Sequence, residues 1–166
     1  MIKRCLKEIA EPLTYLVNLS FVSGTFPDKL KVNKVIPLHK KGDNELLDNY
    51  RPISLAPVFS KIFEYFFLER LLKFLEDHQI LIKNQFGFRQ QLSTHDAVYA
   101  FLKCVVEHIE AGECPGGIFC DLSKAFDCVV HALLLFKIEK MGIRGKALNW
   151  VSDYLNGRYQ MFQLDV

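Results

Sequence analysis

An aspartate directly after a short apolar run is the residue of this chain best suited to chemistry. Gly116 and Gly117 precede the run Ile118–Cys120, and Asp121 follows it. This pattern predicts a turn and then a buried strand, and Ser123 is a predicted N-cap of a following helix. A carboxylate at the end of a buried strand is costly unless paired, and a divalent cation is one suitable partner. A capping or salt-bridged aspartate is the alternative that these residues leave open.

Three cationic side chains belong to a predicted β-hairpin. The first strand is predicted at Val35–Leu38, Lys40 and Lys41 lie in the turn, and Arg51 begins a second strand. A guanidinium group matches phosphate oxygens bidentately, and a lysine adds a point charge. The hairpin therefore has the side chains for a phosphate contact, although a surface hairpin with solvated cations would show the same pattern.

Apolar spacing, caps and breakers predict the helices that support these segments. The first helix ends at Gly24 and is broken, kinked or restarted at Pro12. Ser93 and Asp96 resemble a capping box. The other predicted helices cover residues 58–79, 93 to about 112, 131–140 and 145–155, and a last strand is predicted at 159–166.

A loop at 84–91 combines aromatic, amide and cationic side chains. Gln85, Phe86 and Arg89 are its candidates for nucleic-acid binding. Aromatic rings beside an arginine stack on bases or on a sugar-phosphate backbone. A loop held in the core by its phenylalanines is the alternative.

Composition limits the class of protein. Half of the 166 residues are apolar, which excludes a disordered chain and fits one domain or a piece of a larger one. The net charge is +2, but the first 41 residues carry eight Lys or Arg against three Asp or Glu, which permits a basic face. The five cysteines form no CxxC pair, so a reducing compartment, nucleus or cytoplasm, is expected. No apolar run reaches the ~18 residues of a membrane span.

Several sequence blocks resemble one family in order and spacing. They are Asn49–Leu55, Gln85–Arg89, Ser93-Thr94, Phe119–Asp127 and Gly142–Gly145. Together they are similar to the reverse transcriptase domain of non-LTR (LINE-like, jockey-type) retrotransposons. The resemblance extends from about Phe26 to the end of the chain. Val130 departs from it, because the family usually carries an aspartate there.

The resemblance implies an α/β (α+β) fold that is part of a right-hand polymerase. We expect a fingers hairpin with helices, then an incomplete antiparallel palm sheet whose central strand ends at Asp121. Residues 1–25 are expected to form a helical lead-in, and residues 26–166 the fingers and the first part of the palm.

The resemblance also implies roles for single residues. Asp121 would be catalytic and would hold Mg²⁺ together with the carbonyl of Leu122. Arg51 and either Lys40 or Lys41 would meet the nucleotide triphosphate. The ring of Phe126 would pack on the nucleotide sugar and exclude a 2′-hydroxyl.

The family's partners are an RNA template, a DNA primer and deoxynucleotides, and no membrane or obligate protein partner is implied. The family's second catalytic motif, an aromatic-X-Asp-Asp hairpin, does not occur in the 166 residues. We therefore expect a truncated domain that is inactive alone and binds Mg²⁺ weakly or not at all. A non-catalytic nucleic-acid-binding remnant and a group II intron-like reverse transcriptase fragment are the alternatives.

Overall fold

The computed structural model describes residues 5–122 and 125–162. This part of the chain contains five α-helices and three strands. The helices are α1 (Leu6–Ser23), α2 (Val58–Asp77), α3 (Thr94–Glu110), α4 (His131–Lys140) and α5 (Lys146–Leu155), and the strands are β1 (Val32–His39), β2 (Tyr50–Leu55) and β3 (Tyr159–Phe162). The chain divides into two units, unit 1 with residues 1–70 and 129–166, and unit 2 with residues 71–128.

The sheet of unit 1 has the strand order β2-β1-β3. β1 and β2 form an antiparallel hairpin whose register runs from Lys34 opposite Leu55 to His39 opposite Tyr50. β3 pairs with the first half of β1 in parallel. Within β1, the central strand of the sheet, Val35 is 2% exposed, and the residues from Ile36 to His39 are exposed. The loop of the hairpin is therefore carried at the end of β1 that lies beyond its pairing with β3.

Aromatic rings form the core of unit 1. Phe26 meets the rings of Phe63, Trp150 and Tyr154 edge-on, at centroid distances of 5.1–6.0 Å. Trp150 also stacks on Phe67 at 4.3 Å. These rings come from α2, α5 and the segment after α1, so aromatic packing joins the helices that support the hairpin.

Two polar links cross this core. The indole Nε1–H of Trp150 donates to Ser20 Oγ (2.9 Å), and the Ser20 hydroxyl donates to the carbonyl of Thr25 (2.5 Å). Lys31 is only 4% exposed and pairs with Asp153 at 3.0 Å, while the Phe26 N–H donates to the same carboxylate at 2.6 Å. Buried polar groups are tolerated when they are paired in this way.

The end of α1 shows how the sequence fixes a boundary. Gly24 has φ +73°, and its N–H bonds to the carbonyl of Ser20, which closes the helix with a left-handed residue. A Cβ at Gly24 would lie 3.0 Å from the carbonyl oxygen of Lys146. The predicted helix stop at this glycine is confirmed. Pro12 lies inside one continuous helix, so the expected break or restart there is wrong.

Unit 2 consists of the end of α2, α3 and long connecting segments. Ser93 and Asp96 form the predicted capping box at the start of α3. Hydrogen bonds, first from the Ser93 hydroxyl and then from its N–H, lower the pKa of the Asp96 carboxyl. None of the described residues of unit 2 is buried, so this unit lacks the kind of core that unit 1 has.

The expected α/β class is confirmed, as are the hairpin and the helices at 58, 94, 131 and 146. The buried strand predicted at Ile118–Cys120 is wrong, and with it the expectation that a strand of the sheet ends at Asp121. These residues have no regular structure, and Ile118 is 93% exposed. A strand needs a neighbour for its backbone hydrogen bonds, and the described residues offer none to this run. Ser123 lies outside the described residues.

Within the described ranges, no helix combines the length and apolarity that crossing a membrane requires.

Candidate functional site

The loop of the β1–β2 hairpin is held by hydrogen bonds. The Lys40 N–H donates to the Asn49 carbonyl (2.8 Å), and Asn49 Nδ2 donates to the Asp43 carbonyl (2.8 Å). The Tyr50 hydroxyl reaches the carbonyl of Asn44 at 2.9 Å. Gly42 has φ +89°, and a Cβ there would lie 2.8 Å from Asn49 Nδ2. The loop is therefore a built turn that requires this glycine.

Three exposed cations at the loop end of the hairpin, Lys40, Lys41 and Arg51, are here called the hairpin cations. Among the described residues none of the three forms a salt bridge, in contrast to the buried Lys31. Arg51 stands opposite Leu38 in the hairpin register. Exposed cations without a carboxylate partner keep their charge available for an anion.

Asp121 lies in unit 2, in an exposed segment without helix or strand. Phe119, two residues before it, is 84% exposed and contacts the ring of Phe101 on α3 edge-on at 5.5 Å. Both rings also lie against the open side of Gly117. Aromatic packing thus places this segment against α3, and Asp121 and Leu122 are both exposed residues.

The described residues contain no group of three or more His, Cys, Asp or Glu side chains that could hold a metal ion. Asp121 is a hard oxygen donor of the kind that Mg²⁺ prefers, and a neighbouring backbone carbonyl can add a second oxygen ligand. The chemistry of this pair fits a divalent cation, but two ligands from one segment do not make a complete site.

Phe126 lies in the turn that follows, and it is 79% exposed. Its ring meets the ring of Phe88 at a centroid distance of 6.2 Å and an interplanar angle of 88°. The structure therefore brings the predicted nucleotide residue and the predicted nucleic-acid loop into contact within unit 2.

The loop before α3 shows the other predicted nucleic-acid residues at its surface. Gln85, Phe86 and Arg89 are each half-buried, and Gln85 Nε2 donates to the carbonyl of Gly87 at 3.3 Å. Arg89 lines a surface pocket together with Lys83 and the amide side chains of Gln79, Gln90 and Gln91. The ring of Phe86 is not held in a core, as the alternative interpretation of this loop would require, because unit 2 buries none of its described residues.

Phe88 is the residue that the sequence reading missed. Its contact with Phe126 joins positions 38 residues apart, which no local pattern predicts. The one available signal was the aromatic character of the loop, and that signal favoured Phe86 equally.

The chain belongs to the reverse transcriptase family. The family model described as "Reverse transcriptase (RNA-dependent DNA polymerase)" matches residues 38–165, which include the hairpin cations, the 85–89 loop, Asp121 and Phe126.

Its relatives are polymerases of mobile elements. The "RNA-directed DNA polymerase from mobile element jockey" of Drosophila melanogaster is 35% identical over 130 residues, which is 78% of this chain and 14% of the relative. The jockey polymerase of Drosophila funebris is 35% identical over 152 residues, 89% of this chain and 16% of the relative. The "Probable RNA-directed DNA polymerase from transposon BS" of Drosophila melanogaster is 35% identical over 117 residues, which is 70% of this chain and 13% of the relative.

These relatives confirm the prediction of a non-LTR, jockey-type reverse transcriptase domain. The chain spans between 13% and 16% of the length of these three curated relatives. The family as a whole acts on nucleic-acid templates and uses divalent metal.

Proposed function

We propose that this chain supplies the nucleotide- and template-contacting part of an RNA-directed DNA polymerase of a jockey-type mobile element. The observation that carries the proposal is the family match over residues 38–165. In the complete polymerase the reaction would be transfer of a deoxynucleotide to a primer 3′-hydroxyl on an RNA template.

The hairpin cations would bind the triphosphate of the incoming nucleotide. Arg51 would donate two parallel hydrogen bonds to phosphate oxygens, and a lysine would add a compact charge. The backbone hydrogen bond from Lys40 to Asn49 keeps Lys40 beside the strand that carries Arg51, and among the described residues no corresponding backbone hydrogen bond joins Lys41 to that strand. This supports Lys40 as the second phosphate contact.

The carboxylate of Asp121 and the carbonyl of Leu122 would contribute ligands to Mg²⁺. When bound, the metal ions of such polymerases hold the attacking and leaving oxygens in line and neutralise developing charge. The role of Asp121 in this chain is to provide one anionic oxygen donor at a position open to solvent. Further acidic ligands must accompany it, so we expect the chain alone to extend no primer.

Phe126 would select deoxynucleotides. A ring against the sugar leaves no space for a 2′-hydroxyl, and a clash with one added oxygen is an effective way to reject a ribonucleotide. Exposure of the ring supports the proposal, because a core phenylalanine could not reach a substrate.

Gln85, Phe86 and Arg89 would contact the template strand. An arginine beside an aromatic ring suits a single-stranded backbone with unstacked bases.

The five cysteines are free and exposed in the structure, which supports a reducing compartment, nucleus or cytoplasm, as the place of action.

The test is a chimera in which this chain replaces the matched segment of the Drosophila melanogaster jockey polymerase. With a primed RNA template, deoxynucleotides and Mg²⁺, we expect primer extension that Asp121→Asn abolishes, because the amide keeps the shape and loses the charge. The parent polymerase is the positive control, and Asp127→Asn, an exposed aspartate nearby, is the matched variant. Extension that survives Asp121→Asn, or a folded chimera without extension, would overturn the proposal.

A second candidate function is nucleic-acid binding without catalysis. The unpaired charges of the hairpin cations favour it independently of any metal. It predicts that the chain alone binds RNA.

A further inference from the structure

Phe88 has a backbone conformation that its side chain does not favour. Its φ is +60°, in the left-handed region that glycine adopts freely and bulky L residues rarely adopt. Gly87, directly before it, does not have a positive φ. The loop therefore places the unfavourable conformation on an aromatic residue beside a glycine that could have taken it. Such conformations persist where the surrounding structure maintains them, and they cluster at functional sites.

Burial does not explain this conformation. Phe88 is 87% exposed, so the ring gains little from removal of apolar surface from water. Among the described residues its one ring contact is the edge-to-face contact with Phe126, a favourable geometry for two aromatic rings. The effect of the unusual backbone is thus to present one exposed ring to another.

A ring that rejects a ribonucleotide by a clash must resist being pushed aside. An exposed side chain changes rotamer on a picosecond to nanosecond timescale, so Phe126 alone would turn away from a 2′-hydroxyl easily. The discrimination is then limited by the free energy of turning the ring, and a second ring packed against it raises that free energy. We propose that Phe88 is a positioning residue that holds Phe126 in the orientation that excludes ribonucleotides; this inference rests on the proposed function.

The experiment measures, in the jockey chimera, the ratio of kcat/KM for a deoxynucleotide to kcat/KM for its ribonucleotide. Phe126→Ala should lower this ratio strongly. Phe88→Ala should lower it by about two- to tenfold, as expected from loss of one aromatic pair, through a gain in ribonucleotide use. In the Phe126→Ala background, Phe88→Ala should cause no further change in the ratio. As a single substitution, Phe88→Tyr keeps the ring and should leave the ratio at its wild-type value.

The matched control is Phe101→Ala, which removes the edge-to-face contact of Phe101 with Phe119 in unit 2 and leaves Phe126 untouched. It should not change the ratio. If Phe126→Ala lowers the ratio and Phe88→Ala does not, the inference is wrong and the proposed function stands. If Phe126→Ala leaves the ratio unchanged, the selecting role of Phe126 fails, and the inference fails with it.

A second measurement needs no catalysis and uses the chain itself. Phe126→Trp introduces an exposed indole, while the native Trp150 is 2% exposed and gives the same background in every variant. In time-resolved fluorescence anisotropy we expect a larger amplitude of fast local rotation when Phe88→Ala is added. Equal amplitudes with and without Phe88 would show that Phe88 does not restrain position 126 and would overturn the inference.

Discussion

At the scale of single residues, charge is used in two different ways in unit 1. Lys31 is buried against two carboxylates, whereas Arg51 is exposed and has no carboxylate partner among the described residues. A buried, paired charge stabilises the fold only while its partner remains, and an exposed, unpaired one costs little and remains available for a ligand. Substitutions that break the Lys31 pair should therefore lower the stability of the fold, whereas substitutions of Arg51 should weaken nucleotide use.

Arg51→Ala should weaken nucleotide use without weakening the fold. Loss of a charged contact to phosphate costs about 1.5–3 kcal/mol, so KM for deoxynucleotides in the jockey chimera should rise on the order of 10- to 100-fold. Steady-state kinetics and thermal unfolding of the same variant separate the two effects. Lys73→Ala, which removes another exposed cation, should leave KM unchanged. A fall in melting temperature without a change in KM would return Arg51 to a structural role.

Asp153→Ala should destabilise the fold by about 1–3 kcal/mol, because the Phe26 N–H loses its acceptor and the buried Lys31 loses one of its two carboxylate partners. Asp153→Asn keeps an oxygen for the N–H and should cost less. Asp28→Ala removes the second partner of Lys31, an almost fully exposed carboxylate, and should cost under about 1 kcal/mol. Urea unfolding measures all three, and equal costs for Asp153→Ala and Asp28→Ala would contradict the assignment.

The pH dependence of this pair follows from its pKa values. Burial opposes the charge of Asp153, but hydrogen bonds from Phe26 and Lys31 outweigh it and lower the pKa of the carboxyl below 3.8. Burial likewise opposes the charge of Lys31, and its two carboxylates raise the pKa above 10.5. The stabilisation by Asp153 is thus present above about pH 4 and lost as pH falls through its folded pKa, and that by Lys31 is lost only as pH rises above about 10.5. The loss of unfolding free energy caused by Asp153→Ala should therefore be constant between about pH 4 and about pH 10.5.

At the scale of elements, a buried hydrogen bond joins α1 to α5. Ser20→Ala leaves the indole N–H of Trp150 buried without an acceptor, which should cost about 1–3 kcal/mol in the free energy of unfolding. Ser23→Ala on the same helix removes an exposed hydroxyl bonded to the Ser20 carbonyl and is the matched control, with an expected cost near zero. If the two variants unfold at the same urea concentration, the indole has another acceptor.

The elements also show how far local sequence predicts structure. The hairpin and α3 were predictable because a short apolar run, the turn residues after it and the Ser93 capping box each act within a few residues of one another. The run Ile118–Cys120 has the composition of a strand, but pairing depends on a neighbour that composition does not supply. The left-handed residue at Phe88 was equally unpredictable, because propensity would assign it to Gly87. Local rules therefore predicted the hairpin that carries the hairpin cations. The contact between Phe88 and Phe126 depends on tertiary structure, which those local rules do not describe.

At the scale of the whole molecule, the two units differ in how they are stabilised. Unit 1 has an aromatic core and crossing polar links, and unit 2 exposes all of its described residues at least in part. Regions with few buried apolar contacts open at lower free energy than a packed core does. The hairpin cations are thus carried by the better-packed unit, and they should keep their arrangement even where Asp121 and its segment fluctuate.

The last prediction follows from that difference. The chain alone should bind RNA weakly and without sequence preference, with affinity that falls steeply as salt rises, because phosphate contacts release counterions. Replacement of all three hairpin cations by alanine should reduce the slope of log K against log salt by about one for each lost contact. Alanine at Lys61, Lys73 and Lys137, three other exposed lysines, removes the same charge and should change the slope less. Fluorescence polarisation with a labelled single-stranded RNA at several salt concentrations provides the slopes. Equal slopes for the two triple variants would mean that net charge alone attracts RNA, and binding that does not respond to salt would exclude phosphate contacts as its basis.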